Sequence, residues 1–462
     1  MTAAEGFRAA AGLPPINRAA RWFHCGSPRP RHRIDAGATV STDTDPTPVR
    51  TFLTTSPTSG PAPHREPEGP VRPVPLVVAG IGALALAWYV WSVHGAQFGA
   101  LLVIGLLLGA ALFHSRFGFT SAWRQLIGVG NGEGLRAHTL LLGTAATLIA
   151  LVIGTGTGLF GTTPEASAGP IGLALFVGAT LFAIGMQLGG ACASGTLFAV
   201  GSGQSTIVLT LGGFVIGSVL YTFAFPVLDG WPAVPGVLLS DHVGWFGSWA
   251  ITLAVLLLIV VATRVVQARR NPPPVGTPPT ARGVARVFRG SWPMLVGALV
   301  LGVLAAAVVL VSGGIWGVTT AFALWGAKLL QLIGLHPETW DFWQQPRFAE
   351  MLSDSVWTEK TTLTNVGIIL GAAVAAAAAG AWKIRAEIPW RTAVAAVLGG
   401  VLMGLGARLA GGCNIGAYLG GISTGSLHGW LWGAFALFGT WVGIKLRPLF
   451  GLGVPRPSDG VC

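Results

Sequence analysis

Apolar runs dominate the chain from Val74 onward, broken by short stretches that carry most of the charge. Ten runs of about 18 to 23 mostly apolar residues stand at about 75–94, 98–116, 137–157, 169–187, 205–225, 244–266, 292–313, 361–382, 390–408 and 427–446. At a rise of about 1.5 Å per helical residue, each can cross a hydrocarbon core of ~30 Å. A further apolar helix is expected at about 317–334, either crossing or lying along the interface. The pattern predicts an all-α polytopic membrane protein with about ten transmembrane helices.

Composition agrees. The 462 residues are 52% hydrophobic and only 10% charged, against roughly 25% charged in soluble globular proteins. An ordinary soluble enzyme is excluded. Glycine, at 68 residues, is about twice its usual ~7%, as expected where transmembrane helices pack on small residues.

The formal net charge of +11 would suggest nucleic acid in a soluble domain. Here the basic residues, Arg264, Arg269, Arg270, Arg282, Arg286 and Arg289 and then Lys383, Arg385 and Arg391, fall between apolar runs, so they mark cytoplasmic loops and no nucleic-acid partner is expected. With a cytoplasmic N-terminus and one crossing per run, Arg116, Arg124, Arg136, Lys445 and Arg447 also fall inside. Glu165, Asp229, Asp241, Glu338, Asp341, Glu350, Asp354 and Glu359 then face outward. Both termini are therefore expected in the cytoplasm of a multi-pass inner-membrane protein.

Five segments are expected. Residues 1–72 form an Arg/Pro-rich tail read as disordered, with no secretory h-region. Residues 73–266 make a first half, 267–290 a basic cytoplasmic linker, 291–447 a second half and 448–462 a C-terminal tail.

An internal repeat relates the halves. Residues 185–205 read GMQLGGACASGTLFAVGSGQS, and 221 positions later 406–426 read GARLAGGCNIGAYLGGISTGS. Cys192 aligns with Cys413, Gly195 with Gly416, Ser202 with Ser423 and Ser205 with Ser426. A weaker match pairs Phe117-Gly118-Phe119-Thr120 with Trp316-Gly317-Val318-Thr319, and the second half carries about 22 extra residues in its acidic outer loop. The loop charges orient the two matching helices oppositely, so the halves read as an inverted structural repeat, the pattern of secondary transporters with a midplane site.

Residues 188–204 and 409–425 are too short for another crossing and too apolar for a wet loop. Both read as re-entrant segments, which survive at membrane depth only when buried in protein or lining a cavity. Cys192 would enter from the cytoplasmic side and Cys413 from the outer side, bringing the thiols together near the centre. Glycines at 189, 190, 195, 201 and 203, and at 411, 412, 416, 420 and 421, would permit tight turns and close approach to a ligand. A short helix starting at either cysteine would offer free amides to an anion. Arg408 either attracts that anion at the outer side or snorkels to the interface, and its first-half counterpart is the neutral Gln187. Ser194, Thr196 and Asn414 could donate hydrogen bonds to a desolvated anion or satisfy local backbone. Asn365 reads as a helix-start residue, and His428 with Trp430, Trp432 and Trp441 as interface anchors. Cys25 and Cys462 match nothing in the repeat.

A buried cysteine is commonly a small hydrophobe, but two at equivalent repeat positions suit a polarisable sulfur ligand. No Walker A loop, metal constellation or nucleophile with a matched base is found, so neither a cofactor nor enzymatic activity is expected.

The segments GMQLGGACASGTLF and GARLAGGCNIGAYLGGISTGSLHGW, with SRFGFTSAWR upstream, resemble the YeeE/YedE family of sulfur-transport membrane proteins from about residue 98 to 447. The resemblance implies import of thiosulfate or a related small inorganic sulfur anion, passed along Cys192 and Cys413 through the bilayer. The site it outlines comprises Cys192, Cys413, Gln187, Arg408, Gly190, Gly412, Ser194 and Asn414. Family analogy adds a cytoplasmic TusA-like or rhodanese-like sulfur carrier as partner. One departure stands out: family members often read RFC-x-T where this chain has Gly118, so a third thiol is missing. The alternatives are a membrane-embedded sulfurtransferase, which needs a thiolate activated by a neighbouring cation or His, and a transporter of selenium compounds.

Overall fold

The computed structural model describes residues 69–272, 283–384 and 387–456. The tail up to residue 68, linker residues 273–282 with Arg282, Arg385, the last six residues, Cys25 and Cys462 lie outside the described residues.

The described chain is helical apart from one antiparallel pair of two-residue strands, β1 (Ile171–Gly172) and β2 (Ala233–Val234). Its principal helices are α1 (Pro73–His94), α2 (Ala96–Ser115), α3 (Phe119–Val129), α4 (Glu133–Gly154), α5 (Leu173–Gly189), α6 (Ala193–Gly201) and α7 (Ser205–Leu228). There follow α8 (Ser240–Arg270), α9 (Met294–Ser312), α10 (Thr319–Leu332), α11 (Lys360–Ala378), α12 (Trp390–Leu409) and α13 (Leu427–Leu446).

The breaks follow local chemistry. Pro73 opens α1, where its missing N–H costs nothing. Gly95, at φ +100°, separates α1 from α2. Glu359 caps α11, its carboxylate accepting the Thr361 and Thr362 amides at 3.0 and 2.6 Å.

Among the described residues, nine helical stretches are long and apolar enough to cross a membrane. They include all the expected runs except Leu427–Leu446, a 20-residue helix whose His428, tryptophans, glycines and Lys445 lower its hydropathy. The apolar helix expected at 317–334 forms as α10.

Helix packing is dominated by long-range pairs. α2 lies on α11 and α4 on α9; α12 packs against both α5 and α7, and α13 against α5. α1 touches α11 while α8 touches α4, α10 meets α7 while α3 meets α13, and α2 meets α9. Glycine permits the closest crossing. A Cβ on Gly178 would stand 2.7 Å from the Gly406 carbonyl oxygen, and one on Gly185 would stand 2.5 Å from that of Gly399. Backbones this close gain dispersion contact along their whole length, the packing that holds helices together in lipid.

The loop between α10 and α11 folds on itself through short helices at Asp341–Gln344 and Pro346–Ser353. Phe342, Trp343 and Leu352 pack there with Leu324, Ala327 and Tyr221 in a small core of their own.

Candidate functional site

Both cysteines occupy helix N-cap positions with extended backbone. Cys192, at φ −83° and ψ −177°, opens α6; Cys413, at φ −103° and ψ −168°, opens a π-helical stretch, Asn414–Gly420. The glycines before them make the turns that place them. Gly190 (φ +85°), Gly411 (φ +68°) and Gly412 (φ +149°) adopt conformations that an L side chain would strain. Other glycines of these segments serve a different purpose: Gly189 and Gly201 are helical, and Gly201 lets α6 close on the Ile369 carbonyl.

Each sulfur accepts a backbone amide at the start of its own helix. The Gly195 N–H donates to Cys192 Sγ at 3.4 Å, and the Ile415 N–H donates to Cys413 Sγ at 3.4 Å. The Ser194 hydroxyl stands 3.7 Å from Cys192 Sγ. The thiols are 1% and 0% exposed, α6 touches Asn414–Gly420 directly, and both cysteines belong to one buried cluster. Among the described residues, no Lys, Arg or His side chain hydrogen-bonds either sulfur.

Around the thiols lie buried polar groups with spare capacity. The Gln187 amide donates to the Thr120 carbonyl at 3.3 Å, but its Oε1 has no partner. Asn414 is buried with neither Oδ1 nor Nδ2 satisfied. Leaving such groups unpaired costs about 1–3 kcal/mol each, a cost that a polar guest held beside them would relieve. Gly416 faces open space, with nothing within 4 Å of where its Cβ would be.

The model of a sulphur-transport family matches residues 114–442. The chain belongs to that family. It is similar, at 33% identity over 165 residues, to the protein named probable transporter YedE from Escherichia coli K12, covering 35% of this chain and 40% of that relative. The chain thus spans less than half the length of the YedE relatives it matches. Longer matches, at 26% identity, are the thiosulfate transporters TsuA of Escherichia coli K12, covering 75% of this chain and 94% of the relative, and of Spirochaeta thermophila, covering 74% and 96%.

In this member of the family, Gln187, Gly190, Cys192, Ser194, Gly412, Cys413 and Asn414 lie on the two contacting segments and the turns that lead into them. Thr196 is spent locally, donating to the Cys192 carbonyl at 2.8 Å. Arg408 stands apart. Its guanidinium lies 5.3 Å from the ring centre of Phe342 in the loop between α10 and α11, and its buried Nε has no hydrogen-bond partner. Its charge interacts with Tyr221, Arg347 and Glu359.

Two sequence expectations require correction. Trp432 and His428 are not interface anchors: Trp432 is fully buried, donating from Nε1 to the Gly412 carbonyl at 3.2 Å, and His428 is buried against Gly169. Trp441 does fit that role, half exposed with Lys445 Nζ 3.7 Å from its ring centre. Asn365 is likewise buried rather than a helix-start residue, its amide donating to the Val318 carbonyl at 2.8 Å.

Sequence reasoning missed an aromatic wall beside the cysteine segments. Phe119, Trp123, Tyr418 and Trp432 meet with ring centres 5.5–6.3 Å apart, and Phe119 also covers His138 at 4.3 Å. These residues lie on α3, α4, α13 and the π-helical stretch, and no local motif links them.

Proposed function

We propose that this chain is an inner-membrane importer of thiosulfate or a closely related small sulfur anion, which passes Cys192 and Cys413 in succession. The observation that carries this reading is the juxtaposition of two buried thiols, on contacting glycine-rich segments, with the unpartnered amide of Asn414. A soft terminal sulfur can accept an S–H hydrogen bond while its oxygens take amide donors. The names of the TsuA relatives support thiosulfate as the substrate.

In this reading the halves are inverted repeats and both cysteine segments are re-entrant. Exchanging α2 with α9, α3 with α10, α4 with α11, α5 with α12 and α7 with α13 turns each contact among these ten helices into another observed one. The two glycine crossings, Gly178 with Gly406 and Gly185 with Gly399, exchange in the same way, since 221 positions separate Gly178 from Gly399 and Gly185 from Gly406. Such symmetry supports alternating exposure of one central site. Basic loops support cytoplasmic termini, on the side where a TusA-like or rhodanese-like carrier would collect the sulfur. Arg408 draws the anion to the outer mouth.

The test is growth on thiosulfate as sole sulfur source in a bacterial strain lacking its other sulfate and thiosulfate importers. Wild type should restore growth, and Cys192→Ala and Cys413→Ala should each abolish or slow it. Growth indifferent to both substitutions would remove the thiol relay. Labelled sulfur bound to the protein without accumulating in the cell would favour a sulfurtransferase.

A further inference from the structure

Beyond Leu446, where α13 stops, residues 447–456 form a strap that reaches α5 and α3 of the first half. It turns through a single 3-10 turn, Arg447–Phe450, and through Gly451 at φ +69°. Arg447 Nε closes the turn by donating to the Gly453 carbonyl at 2.8 Å. Two more bonds tie the strap down. Arg447 Nη1 donates to the Gln187 carbonyl at 2.6 Å, and the Gln125 side-chain amide donates to the Arg456 carbonyl at 3.3 Å. The Pro455 ring fills the place of a side chain at Gly128, with Pro455 Cβ 3.2 Å from where the Gly128 Cβ would be.

These anchors fall on elements that lead to Cys192. Gln187 lies in the last turn of α5, five residues before that cysteine, and its carbonyl is one that a helix end leaves without an intrahelical partner. A cation there also complements the negative end of the helix dipole. Gly443 of α13 faces the same residue, a Cβ on it standing 2.9 Å from Gln187 Cβ. Gln125 and Gly128 belong to α3, which carries Phe119 and Trp123 of the aromatic wall. We propose that residues 447–456 are a latch that holds α3 and the Cys192 turn closed against α13, so that the first-half end of the thiol pathway opens when the latch lets go. The strap is built to detach. Gly451, Gly453, Val454 and Arg456 are exposed, and a segment held by a few bonds near the surface opens at far lower cost than a packed helix pair such as α5 on α12.

At the matching position of the second half the arrangement differs. The carbonyl of Arg408, the counterpart of Gln187, accepts the Gly411 N–H of its own turn at 3.4 Å. The loop between α10 and α11 meets the Arg408 side chain through Phe342. The family match ends at residue 442, so the strap lies outside the matched region.

The latch rests on the reading that Cys192 lines a transport pathway, so thiol access and thiosulfate uptake are measured separately. Gly128→Cys and Pro455→Cys are combined in the full chain together with Cys25→Ser and Cys462→Ser, the pair standing near the Cβ separation of a disulfide. When this variant is oxidised, alkylation of Cys192 by a small thiol reagent, read by mass spectrometry, should run at least tenfold more slowly than when it is reduced. Uptake of radiolabelled thiosulfate into proteoliposomes should fall in proportion. Arg447→Met, which keeps the apolar stem and removes the donors, should speed Cys192 alkylation by about tenfold, the loss of a hydrogen bond from a charged group. Arg447→Lys should reverse part of that gain. Failure of the two cysteines to cross-link, equal alkylation in the oxidised and reduced states, or alkylation of Arg447→Met no faster than wild type would each refute the latch. Normal uptake by the cross-linked protein would refute it too and leave import standing. If cross-linking slows alkylation in a protein that takes up no thiosulfate in either state, the latch holds and the import reading fails.

Discussion

Cys192 and Cys413 begin from the same sequence skeleton and end in different surroundings. Each follows a positive-φ glycine turn, caps a helix and accepts one backbone amide. After Cys192 the helix is α, Ser194 approaches the sulfur, and a Cβ on Gly195 would lie 3.1 Å from it. After Cys413 the helix is π, Asn414 is unsatisfied at both ends, and Gly416 faces space. An inserted π-turn turns the following side chains away from α-helical register, a device frequent at functional sites. The two thiols are thus equally buried, with space beside Gly416 in one segment and contact beside Gly195 in the other.

That difference has its largest expected consequence in the thiols themselves. Losing an S–H donor to a bound anion costs about 1.5–3 kcal/mol, or roughly 10- to 100-fold in uptake kcat/KM. Both Cys→Ala variants should fall in this range in proteoliposomes. Cys413, beside open space, should be alkylated faster than Cys192 by a small thiol reagent. Equal labelling rates would erase the contrast between the two segments.

Glycine substitutions separate space from packing. Gly416→Ala meets no atom within 4 Å, so thermal unfolding should be unchanged while uptake drops several-fold through a narrowed passage. Gly195→Ala presses on the Cys192 sulfur and should cost about 1 kcal/mol of stability as well as activity. If Gly416→Ala destabilises while Gly195→Ala does not, the assignment of open and closed sides is reversed.

Much of this was legible in the sequence, because membrane helices announce themselves by length and apolarity. The ten runs, the extra helix at α10 and the glycine turns at Gly190 and Gly412 required only local reading. So did the two cysteines, since an ungapped 221-residue offset displays them as equivalent. The burial of His138 and Trp432 was hidden because their contacts are long-range. Trp432 resembles an interface anchor until Gly412, 20 residues earlier, is seen to take its indole N–H. Arg408 was flagged by charge alone, and no pattern in the chain foretold its contact with Phe342.

The surroundings of Arg408 and Gln187 also differ, because the long loop between α10 and α11 brings Phe342 against Arg408. Arg408 lies beneath that loop with a buried, unpartnered Nε, whereas its counterpart Gln187 is neutral. If Arg408 concentrates anions at the mouth, Arg408→Gln should raise the half-saturation concentration by roughly fivefold, the loss of about 1 kcal/mol of screened attraction. Arg408→Lys should restore it partly, and added salt should weaken wild type more than the Gln variant. Unchanged kinetics would leave Arg408 a structural cation seated on Phe342.

The smallest expected effect concerns the loop's own stability. Hydrogen bonds from Gln331, from the local backbone and from His336 hold the Glu338 carboxyl at about 2, below its ordinary 4.5. The folded value is the lower one, so the stabilisation is fully present above the unfolded value near 4.5 and is lost as pH falls through about 2. Glu338 is exposed, and solvent screening makes the contribution minor. Protease cleavage of the outer loop in vesicles should therefore be unchanged between pH 8 and about 5, and Glu338→Gln should accelerate it slightly. Transport by Glu338→Gln should match wild type, because the bonds it breaks lie in the loop's outer layer and touch neither Phe342 nor Arg408. A variant that cleaves normally yet transports poorly would instead give Glu338 a direct part in the mouth and narrow the difference between the two halves.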